Sequence, residues 1–352
     1  MWSCFSSGWT YVLLYMNFSS LIVWLLVSSA EFLLIGFQSR QCPDIANYLS
    51  HPGIETLTFN PDALLYYSLH LIGSNETWLH GILLSSITIY NLAILSLGVD
   101  RLKKLILLSA PFTLSILATH FWSCAIRSGL SISVLILAIS SILRRLSGSQ
   151  PSALVLARKQ SLNIPVHKWI PEILLLALAI ALHWATSIMI IFLMTAYLAK
   201  ELVSKLVLNG RLHSKMLIGI LFAFLLLVIS YFYISDKLLN YGLVGSSQEY
   251  GRIFPIVNAY TASIVLFLLP LKRSNPISQY TKYISIMMLF FSFISFLGLT
   301  GNLIRLLAPL SLIMIYFYVL GPISLSRLLF CTLACAPPFL YYTLNTYSLL
   351  TL

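Results

Sequence analysis

Two arginines and a histidine interrupt long apolar runs of this chain. Arg127 stands in Thr119-His120-Phe121-Trp122-Ser123-Cys124-Ala125-Ile126-Arg127-Ser128-Gly129, and Arg305 in Gly301-Asn302-Leu303-Ile304-Arg305-Leu306-Leu307-Ala308-Pro309. A guanidinium keeps its charge at any physiological pH, and its fork matches two phosphate oxygens at once. Two of them facing one cavity would clamp a dianion or a pyrophosphate. The plainer role for either is a cation at a helix end, reaching out to lipid headgroups. His183, in Ala179-Ile180-Ala181-Leu182-His183-Trp184-Ala185, can accept a proton from a hydroxyl or hold a phosphate when charged; its plainer role is a hydrogen-bonded packing residue.

Two further groups carry polar chemistry. Arg40, Asp44 and Tyr48 are spaced by four, which puts them on one face of a short helix and allows an Arg40 to Asp44 pair, with Pro43 tolerated in the first turn. Lys237, Glu249, Tyr250 and Arg252 lie in a segment rich in Gly and Tyr, and tyrosines beside paired charges suit a sugar surface or an interfacial aromatic belt. Other chemistries are missing from the sequence. It has no Gly-x-x-x-x-Gly-Lys-Ser/Thr loop, no His-Glu-x-x-His and no Asp-x-Asp, so a metal-held nucleotide sugar is a poor fit and a lipid pyrophosphate a better one. Its five cysteines form no Cys-x-x-Cys pair and no even set, which points away from a zinc site or a disulfide framework.

The elements that must hold these residues follow from composition. Among 352 residues there are 10 acidic and 21 basic side chains, 59% of the chain is apolar, and 9% is charged. A soluble domain is about a quarter charged, so a soluble enzyme, a disordered tail and a nucleic-acid reader are all excluded. The net charge of +11 arises from short basic clusters between apolar runs, which suits an anionic membrane face. Met1 to Thr10 has no Lys or Arg, and no small-residue cleavage site follows, so the first apolar run reads as a retained span.

About 20 helical residues cross a bilayer core. Runs of that order cover 11–37, interrupted by Glu31, and 79–99. Residues 105–143 read as two short helices joined at the polar break Thr119 to Gly129. The segment 170–199 is one long tilted helix or two short helices meeting near His183, and the turn at His183 is the reading that keeps the flanking basic clusters on one side. Further spans are expected at 216–234, 256–271, 283–298, 306–322 and 328–346. The fold class is therefore all-α, a single polytopic membrane domain over 1–352 with roughly 10 to 12 transmembrane or re-entrant helices, a cytoplasmic N-terminus and an outer-facing cavity.

On this path the loops 100–104, 144–169, 200–215 and 272–282 are basic and cytoplasmic, and 38–78, 235–255 and 299–305 are outer. Sixteen of the 21 cations fall inside, the bias that fixes orientation in a membrane. The five left outside are Arg40, Arg127, Lys237, Arg252 and Arg305, and cations that orientation does not need are functional candidates. The segment Pro61 to Leu71 is amphipathic and too short to span, so it is expected to lie at the outer interface.

The order of these motifs resembles the EpsG family of polytopic proteins, which is similar to the Wzy O-antigen and exopolysaccharide polymerases. The resemblance runs through Arg40, Asp44 and Tyr48, then Asn60-Pro61-Asp62-Ala63-Leu64-Leu65 and Leu71-Ile72-Gly73. It continues through Ile126-Arg127-Ser128-Gly129, a basic loop, Leu182-His183-Trp184 and the late Arg305. Ser128 stands where that family usually has Gln, and Cys42-Pro43 precedes Asp44 where it usually has Gly.

The resemblance implies a multi-pass protein of the bacterial inner membrane that joins undecaprenyl-pyrophosphate-linked oligosaccharide repeats on the outer face, without metal, nucleotide or other cofactor. Arg127 and Arg305 would bind the donor pyrophosphate, and His183 or Asp44 would be the general base. Arg40, Tyr48, His120, Tyr250 and Arg252 would contact the substrate. Membrane lipids, a chain-length regulator and a flippase are the partners such an activity calls for; nucleic acid is not among them. A flippase for the same lipid-linked oligosaccharide, or a ligase passing the glycan to another acceptor, would use similar residues. No duplicated halves are visible, and the outer cations do not trace a path through the bilayer, which weighs against the flippase.

Overall fold

A computed structural model describes residues 18–39, 76–95, 126–147, 166–183, 185–209 and 276–296, with isolated helical residues within 259–266 and at 313. Every regular element among them is helical, and none is a strand. The helices are α1 (Phe18–Ser39), α2 (Glu76–Leu95), α3 (Ile126–Ser147), α4 (Ile170–Leu182), α5 (Ala185–Asn209) and α6 (Pro276–Phe296), with a 3-10 turn at Val166–Trp169 leading into α4. Pro171 in the first turn of α4 and Pro276 opening α6 occupy positions whose backbone needs no helical donor.

The described helices fall on the expected apolar runs. The run 79–99 is helical over Glu76–Leu95 and 283–298 over Pro276–Phe296, both starting earlier than expected, with 96–99 and 297–298 outside the described residues. The polar break expected at 119–129 ends inside α3: Ile126, Arg127, Ser128 and Gly129 form the first turn of a helix of 22 residues, while 105–125, with the first of the two short helices expected there, lie outside the described residues. The first backbone N–H groups of a helix have no helical partner in any case, so Ser and Gly are tolerated there, and the buried Ile126 anchors the turn. The spans expected at 216–234 and 328–346, and most of those at 256–271 and 306–322, lie outside the described residues.

The chain divides into two compact units, one of Met1–Thr186 with Leu328–Leu352 and the other of Ser187–Arg327. In the first, α1 packs on α2, α2 on α3 and α3 on α4. Trp78, Leu83, Ile87 and Tyr90 of α2 fill the core beside Ile126, Leu130, Val134 and Ile136 of α3. From Ile126 to Leu143, α3 is buried on nearly every face, and it is the one described helix long and apolar enough to cross a membrane. An all-round apolar helix must be enclosed by protein or lipid, and this one is enclosed largely by protein.

Beside this apolar core, several polar groups are also inside and several large apolar groups are outside. Leu26 of α1 is 64% exposed, with Ile22, Leu25 and Leu33 also outward, while Glu31 on the same helix is 3% exposed. Asn91 of α2 reaches across with its amide, donating to Ser28 Oγ at 2.9 Å and to Glu31 Oε2 at 2.8 Å. Phe32 and His80 meet edge to face beside them at 5.8 Å. On α4, Ile170, Ile173, Leu174 and Leu178 are exposed, whereas Glu172 is buried and accepts a 2.7 Å hydrogen bond from Ser141 of α3.

The second unit repeats the pattern. Ile286, Phe290 and Phe293 line one exposed face of α6 at helical spacing, and Thr281, Ser285 and Ser292 are buried with Ile284 and Met288. Tyr280 donates to the Leu193 carbonyl of α5 at 2.6 Å and meets the Tyr197 ring edge to face at 6.1 Å. Phe192 packs on Phe291, and Lys200 sits 3.3 Å from Glu201 and 5.6 Å from the Tyr197 ring centre.

Candidate functional site

Arg127 is half-buried in the first turn of α3, a turn without any acidic residue. A helix N-terminus carries about half a positive charge from its unpaired N–H groups, so a cation is electrostatically misplaced there. Guanidinium and helix terminus together favour an anion at this end of α3.

The segment 170–199 is interrupted at His183. Helix α4 ends at Leu182, His183 is extended at φ −156° and ψ 109°, and α5 begins at Ala185. At 13 residues α4 is about 20 Å long, shorter than the ~30 Å hydrocarbon core of a bilayer. The His183 N–H still reaches the Ala179 carbonyl at 3.2 Å, and the His183 carbonyl accepts the Thr186 N–H at 2.9 Å. Its backbone is thus held from both sides of the break, and its side chain is half-buried.

Ser131 joins these two places. It lies one turn after Arg127 on the same face of α3, about 6 Å along the axis. Its hydroxyl donates to the Ala179 carbonyl at 2.7 Å and contacts the Thr186 hydroxyl. Neighbouring serines behave differently: Ser133 and Ser140 turn back to carbonyls of α3 itself, as hydroxyls in helices commonly do. The structure therefore brings the Arg127 end of α3 against the residues that flank His183.

Seven other expected site residues, Arg40, Asp44, Tyr48, His120, Tyr250, Arg252 and Arg305, lie outside the described residues. Among the described residues, no group of three or more His, Cys, Asp or Glu side chains could hold a metal ion. Ser131 and Thr186 were not singled out from sequence. The signal for Ser131 was its spacing of four from Arg127, and for Thr186 its place just after His183. Glu172 and Asn91 had no such local signal, because their partners Ser141 and Glu31 are 31 and 60 positions away.

Compared with protein-family models, curated proteins and solved structures, the chain matches none.

Proposed function

We propose that this is a polytopic protein of the bacterial inner membrane that extends a glycan on its outer face by joining undecaprenyl-pyrophosphate-linked oligosaccharide repeats. The membrane part of the reading is supported by the inverted surface: leucines, isoleucines and phenylalanines outward, with Glu31, Asn91, Glu172 and hydroxyls inward. In water such faces would be a liability, whereas in lipid they are the expected solvent contact, and polar groups then have to find partners inside the protein.

The transfer part rests chiefly on one observation, that an arginine at the N-terminal turn of α3 is tied one turn later to the helix break that carries His183. Arg127, with Arg305 as its partner, would hold the donor pyrophosphate. A hydroxyl of the acceptor repeat attacks the anomeric carbon of the donor sugar. The bond from that carbon to the pyrophosphate oxygen breaks, its electron pair leaving on undecaprenyl pyrophosphate, while His183 or Asp44 takes the hydroxyl proton. The arginines act on the negative charge that builds as the pyrophosphate leaves. Loss of one such preorganised donor typically costs about 10² to 10³ in rate. The order of motifs that resembles the EpsG family points the same way.

The test is polymer length in cells. Arg127→Ala and Arg305→Ala are expected to abolish long polymer at equal protein level, and Arg127→Lys to restore it poorly, because an ammonium keeps the charge and loses the fork. Wild-type ladders from all of them would overturn the pyrophosphate clamp.

A further inference from the structure

We propose that Ser131 and Thr186 form a hydroxyl relay that positions His183 against Arg127; the functional part of this rests on the reading of Arg127 and His183 as the transfer site. The geometry is a closed loop of contacts. His183 donates its N–H to Ala179 and accepts the N–H of Thr186. Ser131 bonds to both of those residues, to the Ala179 carbonyl and to the Thr186 hydroxyl. One side chain of α3 thus holds both residues that hold the backbone of His183.

Proton accounting fixes the direction of the relay. A carbonyl only accepts, so the single Ser131 proton goes to Ala179, and the Thr186 hydroxyl must donate to Ser131 Oγ. The Ala179 oxygen then uses both lone pairs, one for His183 N–H and one for Ser131. Both hydroxyls are fully buried, so water does not compete for these bonds. A break in a helix frees backbone groups, and at membrane depth they have to be satisfied within the protein. Here the break is bonded by its own neighbours, and Ser131 adds a second bond to the Ala179 carbonyl and a contact to Thr186 that tie the residues flanking His183 to the helix bearing Arg127.

Ser131 and Thr186 are positioning residues, since neither is assigned a contact with substrate. Misplacing a catalytic group by about 1 Å can cost about 10²-fold in rate. The experiment uses the full chain in lipid nanodiscs, labelled with ¹⁵N in its histidine rings, with His183→Gln assigning the His183 resonances. Ser131→Ala and Thr186→Val remove a relay hydroxyl, and Thr186→Ser keeps one. Expected are displaced His183 resonances in the first two and wild-type resonances in Thr186→Ser. The same proteins given lipid-linked repeats should show polymer formation lowered about 10- to 100-fold in the first two and retained in Thr186→Ser.

Unchanged His183 resonances in Ser131→Ala and Thr186→Val would overturn the relay, whatever the activity. If Ser131→Ala yields no folded protein, Thr186→Val against Thr186→Ser decides alone. Displaced resonances in Ser131→Ala and Thr186→Val, with no polymer formed even by the wild-type protein, would uphold the relay and count against the transfer reading instead.

Discussion

The contact between α1 and α2 gives a quantity that can be worked from distances. Asn91 is fully buried, and its amide donates to Glu31 Oε2 at 2.8 Å and to Ser28 Oγ at 2.9 Å. A single Asn91→Leu variant is a poor probe, because Asn91 Oδ1 is buried with no hydrogen-bond partner and its removal offsets part of the loss. A double-mutant cycle with Glu31→Leu cancels that contribution, since it occurs on both arms. Interhelical hydrogen bonds in membrane proteins average about 0.6 kcal/mol and reach about 1.7. The expected coupling lies in that range, at about 0.6 to 1.7 kcal/mol. The assay is unfolding of the purified full chain by SDS titration in mixed micelles, followed by helical circular dichroism. Coupling below about 0.3 kcal/mol, the scatter of independent sites, would refute the α1 to α2 polar link.

Three further outcomes are expected. Leu26→Asp and Phe290→Asp, at outward positions, should each cost about 2.5 to 3.5 kcal/mol of membrane insertion, measured by protease protection or a translocon assay; surface sites in water would be nearly neutral. Ser141→Ala should lower stability by about 1 kcal/mol in the same SDS titration, by removing the 2.7 Å donor to Glu172 that fastens α4 to α3, and Ser141→Thr should retain it. If, as proposed, the chain turns back near His183 and this basic segment is cytoplasmic, Lys205→Cys should react with a membrane-impermeant maleimide only after the cytoplasmic side is opened; labelling from outside would contradict that topology.

Local sequence carried much of the helical architecture and little of its wiring. Apolar runs located α1, α2 and α6 because lipid and protein interiors both reward long apolar helices. Ser128 and Gly129 sit in the first turn of α3, where residues that break a helix in its middle are tolerated. His183 was legible because a polar residue between two apolar segments marks a place where the backbone departs from the helix. Its supports were not legible. Ser131 lies 48 positions from Ala179, and only packing of α3 on α4 reveals that its hydroxyl bonds outside its own helix, where Ser133 turns back to Gly129. Glu31 stood out as an acid in an apolar run, but that Asn91 answers it follows from α1 packing on α2, a long-range pairing that no local spacing encodes.

The central claim, glycosyl transfer between lipid-linked repeats, is tested most directly with the full-length protein in liposomes supplied with undecaprenyl-pyrophosphate-linked repeat units on the face equivalent to the cell exterior only. Expected is a ladder of products differing by one repeat, formed without added nucleotide or metal and lost in Arg127→Ala. Translocation of the repeats without any extension would contradict it and favour a flippase.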